Sequence, residues 1–201
     1  LKQDSQGLGD LVIDGGGQAT PNSRTPIPPG YVFDNLTIRN RAVVVADTPI
    51  VVNGTLALTG DSVLTHSLQQ ESGLSIEAAR VDIDETSAID VSARGYRGGQ
   101  RDGNSLCEGL TLGGLPGAAY RAAGTYGGFG ARVDGASNLP YGQPNRPAYL
   151  GSGGSCGPHG RVGGHGGGLV TIQATESVRV NGRVAADGGA RVAGLSPERR
   201  R

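Results

Sequence analysis

The sequence predicts an all-β chain, a parallel β-helix or β-solenoid with a long glycine-rich insertion, and three observations carry that reading. Apolar and polar residues alternate over short runs, which buries one face of a strand and wets the other. The apolar palette is nearly all Val, Ile, Leu and Ala, with 4% aromatic residues and no Trp or Met. Such small side chains suit thin, repeated β layers better than a bulky centre. Glycine is abundant, at 37 of 201 residues. Glycine loses much backbone entropy on folding, so many backbone hydrogen bonds are needed to hold it.

The strands follow in order. Leu11 to Ile13 is a first apolar run, closed by the turn Gly15-Gly16-Gly17. Tyr31 to Ile38 alternates through Val32, Leu36 and Ile38, and Ala42 to Ala46 is a short continuous run. Leu74 to Ala93 holds three alternating stretches: Leu74, Ile76, Ala78; Val81, Ile83; Ile89, Val91. Residues 95–168 hold most of the glycines, and Thr171 to Ala186 returns to alternation. No segment has helical periodicity. One domain over 1–201, with 95–168 as an insertion within it, is the organisation expected.

An internal repeat links the strands. Ile50 to Leu58 reads IVVNGTLAL and Val178 to Ala186 reads VRVNGRVAA. Superposing Asn53-Gly54 on Asn181-Gly182 matches Val52 to Val180 and Leu56 to Val184, and predicts equivalent turns with these four residues inward. Val81 to Ala93 is a looser third copy with a longer turn. Recurring strand–turn–strand units suggest stacked coils. Asn-Gly also suits a two-residue hairpin, which would give an antiparallel β-sandwich. The small inward aliphatics favour coils.

The strings YGQPNRPAYLGSGGS (Tyr141 to Ser155), GRVGGHGGGLVTIQA (Gly160 to Ala174) and VRVNGRVAADGG (Val178 to Gly189) stand in sequence, with IDVSARGYRGG (Ile89 to Gly99) upstream. Together they resemble a glycine-rich module of large secreted and cell-surface proteins of bacteria and of plant glycine-rich surface proteins. The likeness spans roughly residues 74–194. It implies a parallel β-helix-like fold with a glycine-rich excursion, and it brings no catalytic residues. Arg101, Glu108, Arg121 and Arg132 interrupt the glycine runs and depart from the module's pattern.

Charge narrows the partners. Eighteen basic and eighteen acidic residues give a formal net charge of zero, and Lys2 is the only lysine. Phosphate backbones call for a basic excess, so nucleic acid is not expected. The basic run Arg199 to Arg201 reads as a solvated end. No apolar run approaches the roughly 18 residues that span a membrane as a helix. The chain begins at Leu1 and lacks Met, which fits a segment processed from a secreted precursor.

Several residues could carry chemistry. Cys107 and Cys156 are an even pair that fits one disulfide in an extracellular setting. Cys156, His159 and His165, with Cys107 as a fourth ligand, form the weaker zinc alternative. Gly164-His165-Gly166 matches one element of the polygalacturonases, but their paired carboxylates and remaining motifs are missing here. Asp82, Asp84, Glu85 and Asp90 lack the calcium-loop glycine and alternate with Val81 and Ile83, as a solvated face would. Gly15 to Gly17 lacks the Lys-Ser or Lys-Thr of a phosphate loop. His66 has no partner that the sequence identifies. No cofactor is expected.

Tyr96, Tyr120, Tyr126, Tyr141 and Tyr149 lie in the glycine-rich zone with Phe129. Tyrosine on a Gly, Ser and Asn background suits a binding or assembly surface, and equally suits a small loop core. The function expected is that of a non-enzymatic, extracellular, self-assembling surface or filament subunit forming a homo-oligomer. An adhesin or glycan-binding module is the alternative, and a polysaccharide-active β-helix enzyme the third. Open coil edges near Leu11 and Val184, and ordered termini at Leu1 to Gln6 and Ser196 to Arg201, are the expected marks of assembly.

Overall fold

The computed structural model describes residues 2–3, 9–18 and 23–192. Expectations for the termini beyond these, Arg199 to Arg201 included, lie outside the described residues. Twelve strands run in chain order: β1 (Lys2–Gln3), β2 (Gly9–Asp14), β3 (Thr25–Pro26), β4 (Val32–Phe33), β5 (Leu36–Arg39), β6 (Val43–Val45), β7 (Ile50–Thr59), β8 (Val63–Thr65), β9 (Leu74–Ile83), β10 (Ala88–Asp90), β11 (Val170–Val180) and β12 (Arg183–Ala185). A single 3-10 turn, Leu112–Gly114, is the only helical element among the described residues. The chain is all-β, with two parallel sheets. It divides into two compact units.

The first unit comprises Leu1–Ser67, Leu74–Val91 and Val170–Ala185. Its larger sheet is ordered β1-β2-β5-β7-β9-β11, with β4 also on β7, and its smaller sheet is ordered β12-β10-β8-β6-β3. Apart from the antiparallel β1–β2 pair, every strand pairing in the two sheets is parallel. A parallel pair cannot be joined by a two-residue hairpin. The antiparallel alternative is therefore set aside here. Past β4, the chain visits the sheets alternately, so each strand pairs with its counterpart from the previous visit.

The register aligns apolar residues into columns. Leu11, Leu36, Leu56, Val81 and Val178 form one, and Ile13, Ile38, Leu58, Ile83 and Val180 the next. In the smaller sheet Val44, Leu64, Ile89 and Val184 align. The central members of all three columns are buried in one cluster that both sheets share. Paired residues of a parallel ladder point to the same face, so alternation puts each column on the core side. On the edge strands β11 and β12, however, Val178, Val180 and Val184 stay exposed, against the expectation that Val180 and Val184 are buried, because no further strand covers them among the described residues.

These columns correct the repeat alignment. Leu56 stands level with Val178, not Val184, and Ile50 with Ile76 and Ile172. Asn53-Gly54 sits inside β7 as a bulge, between Val52 and Thr55, where the register shifts. Its counterpart in β11 is Thr175-Glu176. The preceding turn comes so close that a Cβ at Gly54 would lie 2.7 Å from the Asp34 carbonyl oxygen. Asn181-Gly182 instead turns the chain from one sheet to the other, between β11 and β12. The looser third copy pairs Val81, Ile83 and Ile89 with Val178, Val180 and Val184, but against the first copy Val81 stands level with Leu56 rather than Ile50.

The corners between sheets recur. Gly16-Gly17, Asn40-Arg41 and Gly60-Asp61 all take left-handed backbone. Side chains tie one corner to the next. Asp14 accepts from the Gly16 amide at 2.8 Å and Asn40 at 3.0 Å, and pairs with Arg39 at 2.8 Å. Asp84 accepts from the Gly60 amide at 2.8 Å and the Thr86 amide at 3.0 Å. Burial pushes the Asp84 carboxyl up, but these donors outweigh it and hold it below the usual range. Of the acidic cluster, Asp84 thus serves the corner and Asp90 an ion pair with Arg183.

The second unit comprises Leu68–Gly73, Ser92–Leu169 and Ala186–Arg201. Three extended segments, near 95–99, 151–154 and 163–167, bond to one another. The amides of Tyr96 and Gly99 donate to the carbonyls of Gly151 at 3.0 Å and Gly154 at 2.9 Å. Those of Gly163 and Gly166 donate to Gly99 at 2.8 Å and Tyr96 at 2.9 Å. Those of Gly151 and Gly154 donate to Gly167 and Gly164, both at 2.9 Å. Bonds recur every third residue, the period of a polyproline II helix, and only glycine fits between chains this close. A Cβ on Gly163 would run into the Gly154 carbonyl, and one on Gly166 into the Gly151 carbonyl. At such positions glycine is therefore a packing requirement.

Candidate functional site

The residues singled out by composition lie in the second unit. Cys107 and Cys156 stand at disulfide distance, with Cα atoms 4.9 Å apart at a sequence separation of 49. The Cys156 amide donates to the Cys107 carbonyl at 2.7 Å, and the Arg121 amide donates to the Cys156 carbonyl at 3.1 Å.

The zinc alternative does not assemble. The two sulfurs face each other, and His165 is engaged elsewhere. Its Nδ1 accepts from the Gly98 amide at 3.0 Å, and its Nε2 lies 2.7 Å from Asp102 Oδ2. No group of three or more His, Cys, Asp or Glu among the described residues is arranged to hold a metal ion. Burial pushes the His165 imidazole below its ordinary value of 6.5, and the bond to Asp102 offsets only part of that. Neutral His165 donates from Nε2 to Asp102. The hydrogen bond from His165 and the nearby Arg101 hold the Asp102 carboxyl below its usual range, against the effect of burial. Neither ring nitrogen is left to accept a proton from a nucleophile, as a general base must. Asp102, the partner that fixes the ring, lies 63 residues upstream, and no local pattern announces it.

The aromatic residues do not form one surface. Tyr96 is fully buried, packed with Leu150 and Leu169 against Leu110 and Tyr141. Its hydroxyl donates to Glu71 Oε2 at 2.6 Å and accepts from the Gly113 amide at 3.2 Å. Burial and the Glu71 bond raise its pKa. Tyr141 stands edge-on to Tyr126 at 5.2 Å and to Tyr149 at 6.2 Å. The Tyr126 hydroxyl accepts from the Ala148 amide at 3.0 Å, and its ring fills the space above Gly142. Tyr96, Tyr126 and Tyr141 therefore hold loops together. Tyr120, Tyr149 and Phe129 are exposed, Phe129 by 71%.

In the first unit, His66 is buried, and its Nδ1 lies 2.7 Å from the Ser67 carbonyl oxygen. No helix among the described residues is long and apolar enough to cross a membrane. Comparison with protein-family models, curated proteins and solved structures finds no match to this chain.

Proposed function

We propose that this chain is a non-enzymatic, extracellular structural module, that its alternating strands are coils of a β-solenoid, and that it self-assembles through the last coil. The observation that carries the reading is an exposed apolar rung. Val178, Val180 and Val184 are 48%, 44% and 43% exposed, although their ladder partners Val81, Ile83 and Ile89 are fully buried. An edge strand offers unpaired backbone groups, and here it offers core-facing valines with them.

At the opposite end antiparallel β1 pairs with Gly9 and Asp10 of β2, and the edge strand β3 carries Pro26, which cannot donate. Leu11 and Ile13 are only partly exposed there, so the more open apolar edge is β11 with β12. Copies then meet through like edges as a two-fold pair. Such a contact is self-complementary and closed, unlike a head-to-tail filament. The disulfide pair supports an oxidising compartment and so an extracellular location. Zero net charge leaves little repulsion between copies.

Light scattering from micromolar to millimolar concentration tests the assembly. Wild-type protein should pair, and Val180→Lys with Val184→Lys should be monomeric with an unchanged circular dichroism spectrum. A wild-type protein that stays monomeric throughout overturns it.

A further inference from the structure

We propose that the second unit carries a binding cleft for an acidic oligosaccharide, one bearing carboxylates or sulfates along its length. Two backbone bridges build it. The antiparallel bridge Ala122–Arg132 places Arg121 and Arg132 together, and the bridge Val162–Val192 does the same for Arg161 and Arg191. All four line one open cleft of about 610 Å³, whose lining contains no Asp or Glu. Arg121 is paired with Asp134. Arg132, Arg161 and Arg191 are exposed and have no carboxylate partner among the described residues.

Three unneutralised guanidinium groups around one cleft make a local positive field in a chain whose net charge is zero. Guanidinium matches carboxylate and sulfate geometry through paired N–H donors. The floor is built of small residues, including Gly124, Gly154 and Ser155, so a bulky hydroxylated ligand can approach the backbone. The volume exceeds what one small anion fills. The lining has no Phe, Tyr or Trp, and its one imidazole, His165, is buried and held by Gly98 and Asp102, which separates this cleft from a nucleic-acid channel with stacking platforms.

The proposal does not rest on assembly, and protein carrying Val180→Lys with Val184→Lys serves as a non-pairing background to keep the two apart. Isothermal titration at low salt would use five probes: a hexameric oligouronate, a sulfated oligosaccharide of equal length, a neutral glucose oligomer, inorganic phosphate and a short DNA duplex. At least one of the two acidic sugars should bind, more weakly as salt rises, while the neutral sugar and phosphate should not. Whichever acidic sugar binds assigns the group recognised. Arg132→Gln and Arg161→Gln should each weaken binding by about tenfold or more, the loss of one charge-assisted contact. Arg179→Gln, on exposed β11, should bind as wild type. The proposal is overturned if neither acidic sugar binds, if neutral sugar or DNA binds as tightly, or if both cleft variants keep wild-type affinity.

Discussion

Ile83 and Val180 are ladder partners on adjacent parallel strands, yet Ile83 is 1% exposed and Val180 is 44% exposed. The same register position is interior on β9 and half-open on the edge strand β11. Truncation should therefore cost very different amounts. Ile83→Ala removes fully packed methylenes and should destabilise by about 3 kcal/mol. In protein dilute enough to be unpaired, Val180→Ala should cost under about 1 kcal/mol, and even Val180→Asp should be tolerated, because its charge stays wet. Denaturant melts of the three variants measure this, and a Val180→Asp loss as large as that of Ile83→Ala would contradict it.

The glycine bundle makes a second contrast. A Cβ at Gly163 would collide with the Gly154 carbonyl, which is backbone and cannot step aside. Gly128 has nothing within 4 Å of the same position. Gly163→Ala should cost over about 3 kcal/mol, while Gly128→Ala should stay within about 0.5 kcal/mol of wild type. Thermal melts with amide exchange on residues 95–99 and 151–167 report the difference. Equal melting temperatures for the two variants would argue against close packing as the reason for glycine.

Much of the first unit was legible because period two is a direct image of a strand with one buried face. Val81, Ile83, Ile89 and Val91 are buried as their alternation requires. The repeat register was misread because Asn53-Gly54 and Asn181-Gly182 look alike while doing different work. One is a bulge whose Gly54 amide donates to the Asp34 carbonyl, and the other is a corner. Within the glycine-rich zone the sequence carries a period-three signal. Gly151, Gly154 and Gly157, and Gly160, Gly163 and Gly166, recur every third residue. The arginine cleft had no such signal, because its residues are paired by two isolated bridges and share one cleft only in the folded unit. The tyrosines were ambiguous by nature, since the same ring fills a loop core or faces water. Backbone approach at Gly142 decides it for Tyr126.

The cysteines give a third prediction. Closing a loop of 49 residues contributes about 4 kcal/mol on the chain-entropy account. Arg121 is tied to Cys156 through its amide, so Cys107→Ser with Cys156→Ser should also loosen one wall of the cleft. Intact mass after alkylation should show no modified thiol until reductant is added. Two modified thiols without reductant would disprove the bond.

Acid sensitivity of the second unit follows from His165. Its folded-state pKa is lowered from 6.5, chiefly by burial, with Arg101 and Arg97 adding to the effect and Asp102 opposing it. At a pH below 6.5 the unfolded chain takes up a proton that the folded ring resists. The unfolded state then binds more protons, so stability falls as pH falls. The contribution is complete above the ordinary value and is lost as pH drops from 6.5 towards the lower folded value. Melting temperatures between pH 5 and 7.5 should therefore decline on the acid side. His165→Asn, which keeps a polar group but cannot titrate, should flatten that decline while lowering stability at pH 7.5. Asp102→Asn removes the carboxylate that favours the charged ring, so it should steepen the decline. Asp102 itself is held below its ordinary 3.8, so its own acid-side loss begins lower and does not enter this window. A wild-type melting temperature that holds constant from pH 7.5 to 5, or that falls unchanged in His165→Asn, would show that His165 is not the group responsible.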